Sequence, residues 1–156
     1  MLDSTPNVLR SLTPALEQST AQDEGWSAAD VVAHLVDAET VAFAERIRRM
    51  VDEDDPFIES IDPPRRLLEG GYSERTLAEL VDELAKLRSA NLAVARALSP
   101  EQLARTARHD EAGEITLEGI IHQWAYHDLM HLSQVASILQ EPLVTRMGNT
   151  RRFYGL

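Results

Sequence analysis

The chain has 156 residues, 44% of them hydrophobic, which predicts one globular domain over residues 1–156 with a buried core. Its formal charge of −11 argues against nucleic-acid binding, because a phosphate backbone requires clustered Lys and Arg. No apolar run reaches the roughly 18–20 residues of a membrane span, and the N-terminus has no signal-peptide pattern. The absence of cysteine excludes disulfides and thiolate ligands. We therefore expect no membrane partner and, by default, a cytoplasmic location.

Apolar residues at three- and four-residue spacing predict four principal helices and one short extra helix. The principal helices cover about residues 4–18, 27–51, 73–98 and 116–140, and the extra helix follows Ser99. No stretch predicts a convincing strand. The expected fold class is therefore all-α, a four-helix bundle.

Several residues mark where these helices should begin, bend or end. Ser27 with Asp30 three residues on is a capping pattern, while Thr5 and Thr116 suit N-caps. Pro14 removes a backbone donor and should kink or split the first helix, and Pro142 should end the last one.

Residues 52–71 form the one long break in the helical pattern. An acidic run at 52–55 precedes three prolines and the Gly70-Gly71 pair, which excludes a regular helix over the whole stretch. A loop of this length in a small domain is often functional, and we expect it to lie over one end of the core.

The last principal helix carries the sequence HDLMH, with His127 and His131 four residues apart. Side chains four apart lie one above the other on one face of a helix, close enough to bind a single cation. Gln134 lies on the same stripe one turn further on. His122 and His109 are not expected to be ligands, since His122 points elsewhere and His109 falls in a polar linker.

His34 is the natural third ligand, because it lies in the largely apolar second helix, where an unpaired imidazole is costly to bury. Facing helices of a bundle can bring distant residues to one core site. A hydrogen-bonded core histidine is the simpler alternative, and both interpretations stay open at this point. Three imidazoles suit zinc or nickel, with iron or copper as further possibilities. Asp37, Glu39 and Gln134 are the candidates for orienting the rings.

Two other metal chemistries fit the sequence less well. HDLMH is one residue from the zinc-peptidase motif HExxH, but Asp128 is shorter than the Glu base, and no third ligand follows in the remaining 25 residues. A ferritin-like di-iron site needs Glu three residues before a His, and no His in this chain has one there.

Three segments, STPNVLRSL, GWSAADVVAHLVDAE and GEITLEGIIHQWAYHDLMHLSQV, resemble the DinB superfamily over about residues 4–140. The resemblance implies an up-down-down-up four-helix bundle, a homodimer, and a metal bound by the residues matching its three histidines, which are His34, His127 and His131. It also implies kinship with transferases that use low-molecular-weight thiols, so a thiol is a second candidate cofactor.

Two functional hypotheses follow. The first is a metal-dependent enzyme acting on a small molecule, either a thiol-dependent S-transferase or a hydrolase, in which Glu39, Asp37 or Asp128 accepts a proton. The second is a non-catalytic metal-binding or stress-related dimeric bundle. An open pocket beside the metal would favour the enzyme, and a closed four-coordinate site would favour the structural role.

Overall fold

The computed structural model describes residues 1–23 and 25–156, which form a helical bundle with a small sheet at one end. The helices are α1 (Thr5–Leu16), α2 (Ala28–Ala38), α3 (Glu45–Asp52), α4 (Pro63–Glu69), α5 (Leu77–Arg96), α6 (Pro100–Leu103) and α7 (Leu117–Val144). The strands are β1 (Phe57–Ile58), β2 (Thr106–His109) and β3 (Gly113–Thr116). Within the described residues, no helix is both long and apolar enough to cross a lipid bilayer.

The four-helix bundle predicted from the sequence is confirmed. Its members are α1, the continuous rod from α2 to α3, α5 and α7. Helices α1 and α2 each pack against both α5 and α7, which encloses a core between the four. The short extra helix is confirmed as α6, whose N-cap Ser99 forms a capping box with Gln102.

The rod from α2 to α3 contains one turn of π-helix at Glu39–Ala44. A π-turn takes more residues than an α-turn, so it shifts the faces of the helix on either side of it. It places Glu39 and Phe43 in the core while Thr40 stays exposed. Nothing in the apolar spacing predicted this turn.

The expectation that the chain has no strand is wrong. Strands β2 and β3 pair antiparallel around a turn at Gly113, whose φ is +72°, and β1 pairs parallel with β2. These strands are only two to four residues long, too short for alternation to be read from sequence. The sheet attaches the segment after α3 to the chain just before α7.

Three local expectations are also corrected. Pro14 does not split helix α1, which continues through it to Leu16, and the proline ring lies exposed in the last turn. Helix α7 likewise continues two residues past Pro142. Thr5 is not an N-cap, because Ser4 has that position and the Thr5 hydroxyl bonds to Asp128. The capping box at Ser27 and the N-cap at Thr116 are confirmed.

The apolar core is divided into two clusters by a polar layer. On α7 the core residues stop at Trp124 and resume at Leu132, and on α5 they stop at Leu87 and resume at Leu92. The gap on α7 contains His127, Asp128 and His131. The polar layer therefore crosses the middle of the bundle, where side chains from every principal helix meet.

Candidate metal centre

The three histidines singled out by the sequence converge in this polar layer. His34 comes from α2, while His127 and His131 lie one turn apart on α7. The Nε2 atom of His127 is 3.0 Å from that of His34 and 3.2 Å from that of His131. Among the described residues these three form the single group of His and carboxylate side chains whose ligand atoms all lie within 4.8 Å of one another.

The spacing of the nitrogens fits one shared transition-metal ion. Imidazole nitrogens about 2.0–2.1 Å from one ion lie about 3.3 Å apart in a tetrahedral site and about 2.9 Å apart at adjacent octahedral positions. The two short separations, 3.0 and 3.2 Å, fall between these values. The donor set therefore suits the divalent metals that prefer imidazole.

The protonation state of the rings also suits metal binding. Burial lowers the pKa of His34 to about 4, and the neighbouring His131 contributes further. Burial lowers the pKa of His127 to about 3, with smaller effects from His131, His34 and Arg88. Burial likewise lowers the pKa of His131. All three rings are neutral at pH 7, the form in which imidazole is a ligand.

Gln134 fixes the tautomer of His131. The amide nitrogen of Gln134 donates to the Asp23 carbonyl at 3.2 Å, which turns its Oε1 toward Nδ1 of His131 at 2.9 Å. Because Oε1 only accepts hydrogen bonds, Nδ1 of His131 carries the proton and its Nε2 presents a lone pair. This is the arrangement by which an outer partner orients a metal-binding histidine.

His34 and His127 have no such partner. Their Nδ1 atoms are buried and lack a hydrogen-bond partner in the described part of the chain. The expectation that Asp37 or Glu39 orients a ring is wrong, because arginines hold both carboxylates. The site thus has one ring fixed by a hydrogen bond and two fixed by packing, including the Phe43 ring 5.6 Å from that of His127.

The three carboxylates proposed as proton acceptors lie in two different places. Asp37 accepts from Nε and one terminal nitrogen of Arg66, at 2.5 and 2.8 Å, and from the hydroxyl of Tyr72 at 3.2 Å. Burial and Asp37 together raise the pKa of Tyr72 to about 12, so the hydroxyl stays a donor. Asp37 also lines the cleft that contains the three histidines.

Glu39 and Asp128 belong instead to a buried network around Arg88. Arg88 donates to Glu39 at 2.8 Å and to both oxygens of Asp128 at 2.6 and 2.8 Å. Trp124 also donates to Glu39, at 2.9 Å, and Thr5 donates to Asp128 at 2.5 Å. Asp128 is fully buried and committed to this network. Although it stands at the glutamate position of HExxH in the sequence, its carboxylate is held by Arg88 and Thr5, so the peptidase interpretation loses its base.

A cleft of about 440 Å³ opens beside the histidines. One wall comes from α2 and α3, a second from α7, and a third from the segment around Ser60 and the β2–β3 turn. His109 belongs to this third wall, and only 12% of its side chain is exposed, although the sequence placed it in a polar linker. Trp26 packs edge-on against His34, with ring centroids 5.2 Å apart.

The sequence did not indicate the arginines that define this region. Arg66 lies in the long break, and Arg88 lies on the predicted helix over residues 73–98, but neither was singled out there. The sequence position of Arg88 could have indicated that it is buried. It lies between Leu84 and Leu92 in the apolar series on the inward face of α5.

A scan against protein families gives a match to the DinB superfamily over residues 1–135. The chain belongs to the DinB superfamily. In keeping with that membership, the structure of YfiT from Bacillus subtilis superposes with a TM-score of 0.77, covering 94% of this chain and 83% of that one at 22% identity. That structure is described as a probable metal-dependent hydrolase with an unusual four-helix bundle topology.

A further relative comes from Oceanobacillus iheyensis and is named "putative metal-dependent hydrolase". It is 27% identical over 124 residues, which are 73% of this chain and 65% of that protein. The chain thus spans just under two thirds of this relative's length. Both of these proteins are described as metal-dependent. The cluster of three histidines is observed in the structure of this chain itself.

Proposed function

We propose that the protein is a metal-dependent hydrolase of a small molecule, with His34, His127 and His131 as the metal ligands. The observation that carries this proposal is the convergence of three neutral imidazoles beside an open cleft. No fourth His or carboxylate ligand completes the group within the described residues. Three protein ligands with a position left for water or substrate are typical of catalytic sites, whereas structural sites are closed.

The chain's own residues supply orientation and a proton acceptor. Through its hydrogen bond to His131, Gln134 holds one ring with its lone pair toward the other two. A divalent ion in this position would act as a Lewis acid and activate a water molecule at neutral pH. Of the three proposed acceptors, Asp37 is the one that lines the cleft, so we assign it the general-base role.

Metal analysis tests the first half of the proposal. Protein purified without a histidine tag should contain about one equivalent of zinc, nickel, iron or copper, or bind it on titration. His34→Ala and His131→Ala should each lose it, while His122→Ala, an exposed histidine on the same helix, should keep it. A protein that neither contains nor binds a metal would overturn the proposal.

Activity tests the second half. A screen of simple esters, amides and phosphoesters should reveal hydrolysis that chelation abolishes and the added metal restores. The same screen should include transfer of small thiols to electrophiles, because a thiol could use the same open position. Conjugation without hydrolysis would assign the protein to the transferases, with the thiol supplied by a cofactor since the chain has no cysteine.

The cleft also bears on the non-catalytic alternative. A stored or structural ion needs no adjacent cavity, and this site has one of about 440 Å³. That cavity supports the enzyme over the structural bundle. The homodimer and the cytoplasmic location expected from the sequence stay predictions.

A further inference from the structure

Among the described residues, Arg46 is a buried arginine that has no carboxylate partner. The described residues contain two buried arginines, Arg46 with 8% and Arg88 with 2% exposure. Arg88 donates to two carboxylates, whereas the one hydrogen bond of Arg46 goes to the Glu59 carbonyl at 3.2 Å. A buried charge is normally paired, because burying it without a counter-charge is energetically costly.

Asp110, whose charge acts on Arg46, does not neutralise it. Burial lowers the pKa of Arg46, and the charge of Asp110 opposes this only in part. The oxygens of Asp110 are already engaged, since they accept from the Ser60 amide at 2.9 Å, the Ser60 hydroxyl at 2.6 Å and the Glu111 amide at 2.8 Å. Arg46 thus keeps donors that no acceptor in the described part of the chain uses.

Arg46 lines the cleft beside the three histidines and also two neighbouring clefts that share residues with it. None of its nitrogens is among the buried, unpartnered atoms of the described residues, so its unused donors are accessible from this region. It lies three residues, about 4.5 Å along a helix axis, beyond Phe43, whose ring is 5.6 Å from that of His127. A small molecule that reaches the histidines could therefore also contact Arg46.

His109 lies in the third wall of the same cleft. Its Nδ1 is 3.0 Å from a carboxylate oxygen of Asp110 and lies 3.2 and 3.3 Å from the backbone amides of Glu111 and Ala112. Nδ1 of His109 is thus engaged within the wall itself.

We propose that Arg46 is a specificity-determining residue that binds an oxyanion, either a carboxylate or a phosphate, at the end of the substrate away from the scissile bond. Guanidinium donors match both anions geometrically. This inference rests on the proposed function, because it places the reacting bond at the three histidines. It names the substrate class as small anionic esters, amides or phosphoesters.

Matched hydroxamates test the anion site without relying on turnover. A hydroxamate head binds a transition metal, and its tail can end in a carboxylate, a phosphonate or a neutral carboxamide, with two to six methylenes between. Isothermal titration of the metal-loaded protein should give about 10- to 100-fold tighter binding of one charged tail than of the carboxamide. The better of the two charged tails identifies the anion.

Two variants assign the preference to Arg46. Arg46→Met should lose the preference for the charged tail and keep its affinity for the carboxamide compound. Arg108→Met is the matched control, because Arg108 lies on β2 beside His109 but is 63% exposed and paired with Asp55. Equal binding of charged and neutral tails by the wild type, or a preference that survives Arg46→Met, would overturn the anion site.

The failure of the anion site and the failure of the metal site look different. Without a metal site no hydroxamate binds the wild type, whereas without an anion site all tails bind equally. If there is no metal site, binding to the metal-free protein tests the anion site. Benzoate or phenylphosphonate should then bind more tightly than benzamide, and Arg46→Met should lose that difference. Equal binding of the three compounds would overturn the inference.

Thermal unfolding separates recognition from a structural role. Arg46→Met removes a charge that has no carboxylate partner and therefore breaks no ion pair. The variant should unfold at the wild-type temperature or above it. Arg88→Met, which strips two carboxylates of their partner, should unfold at a lower temperature. An Arg46→Met variant as unstable as Arg88→Met would mark Arg46 as structural and overturn the proposal.

Discussion

Arg88 and Asp128 form a two-pronged ion pair in the middle of the bundle, with nitrogen–oxygen distances of 2.6 and 2.8 Å. Neither side chain is more than 2% exposed. Asp128 is the sequence neighbour of His127, so the pair fixes α7 against α5 at the level of the histidines. With Thr5 and Glu39 in the same network, all four principal helices are joined there.

Arg88→Met should destabilise the protein severely. The substitution leaves Glu39 and Asp128 as buried carboxylates without a counter-charge, and breaking such a pair costs about 3–5 kcal/mol. Urea unfolding should report the loss as a lower midpoint. Arg10→Met is the control, because Arg10 and Asp82 form an exposed pair worth less than about 1 kcal/mol. Similar costs for the two variants would contradict a buried, structural network.

The position of the three histidines could be predicted because it depends on helical periodicity and on matched motifs. His127 and His131 lie one turn apart wherever α7 is helical. His34 could be assigned as their partner only with help from the DinB resemblance, since spacing within α2 does not say which helix faces it. Their convergence in the structure comes from the packing of α2 against α7.

The polar partners could not be predicted, because they depend on which side chains meet across the core. Asp37 and Glu39 are two residues apart and look equivalent in sequence, yet Asp37 pairs with Arg66 and Glu39 with Arg88. The π-turn that begins at Glu39 separates them, and apolar spacing does not reveal it. The strands were missed because they are only two to four residues long, and α4 because it lies in the proline-rich break.

Gln134→Leu should weaken metal binding without unfolding the protein. The variant loses the acceptor that fixes Nδ1–H of His131, and loss of such an outer partner typically costs about 10- to 100-fold in affinity. Competition with a chromophoric chelator at pH 7.5 measures the change. Gln140→Leu, an exposed position on the same helix, serves as the control. Unchanged affinity would show that packing alone orients the ring.

Asp37→Asn should reduce hydrolysis by about 10²- to 10⁴-fold, the usual contribution of a general base. Asn keeps an oxygen for Arg66, which is 40% exposed, so metal content and unfolding temperature should stay near wild type. Glu111→Gln, an exposed carboxylate at the rim of the same cleft, should retain activity. If Asp37→Asn retained full activity, the proton would have to pass to another group.

Acid should destabilise the metal-free protein through His34 and His127. In the unfolded chain these rings bind protons below about pH 6.5, whereas in the folded protein burial lowers their pKa to about 4 and about 3. The unfolded state therefore takes up protons first, and the free energy of unfolding falls as pH drops. The contribution of each ring to the free energy of unfolding is fully present above pH 6.5. It is lost as pH falls toward and through the pKa of that ring in the folded protein.

Urea unfolding with a chelator present, at pH 7 and at pH 5, should show a loss of about 2 kcal/mol for each of the two rings. Most carboxylates stay ionised over this range, so the histidines dominate the change. His34→Leu should remove about half of the dependence, and His122→Leu, an exposed histidine on α7, should leave it intact. Bound metal should flatten the curve, since a ligated nitrogen cannot take up a proton until the ion leaves. A metal-free protein equally stable at both pH values would contradict the buried, neutral state of the rings.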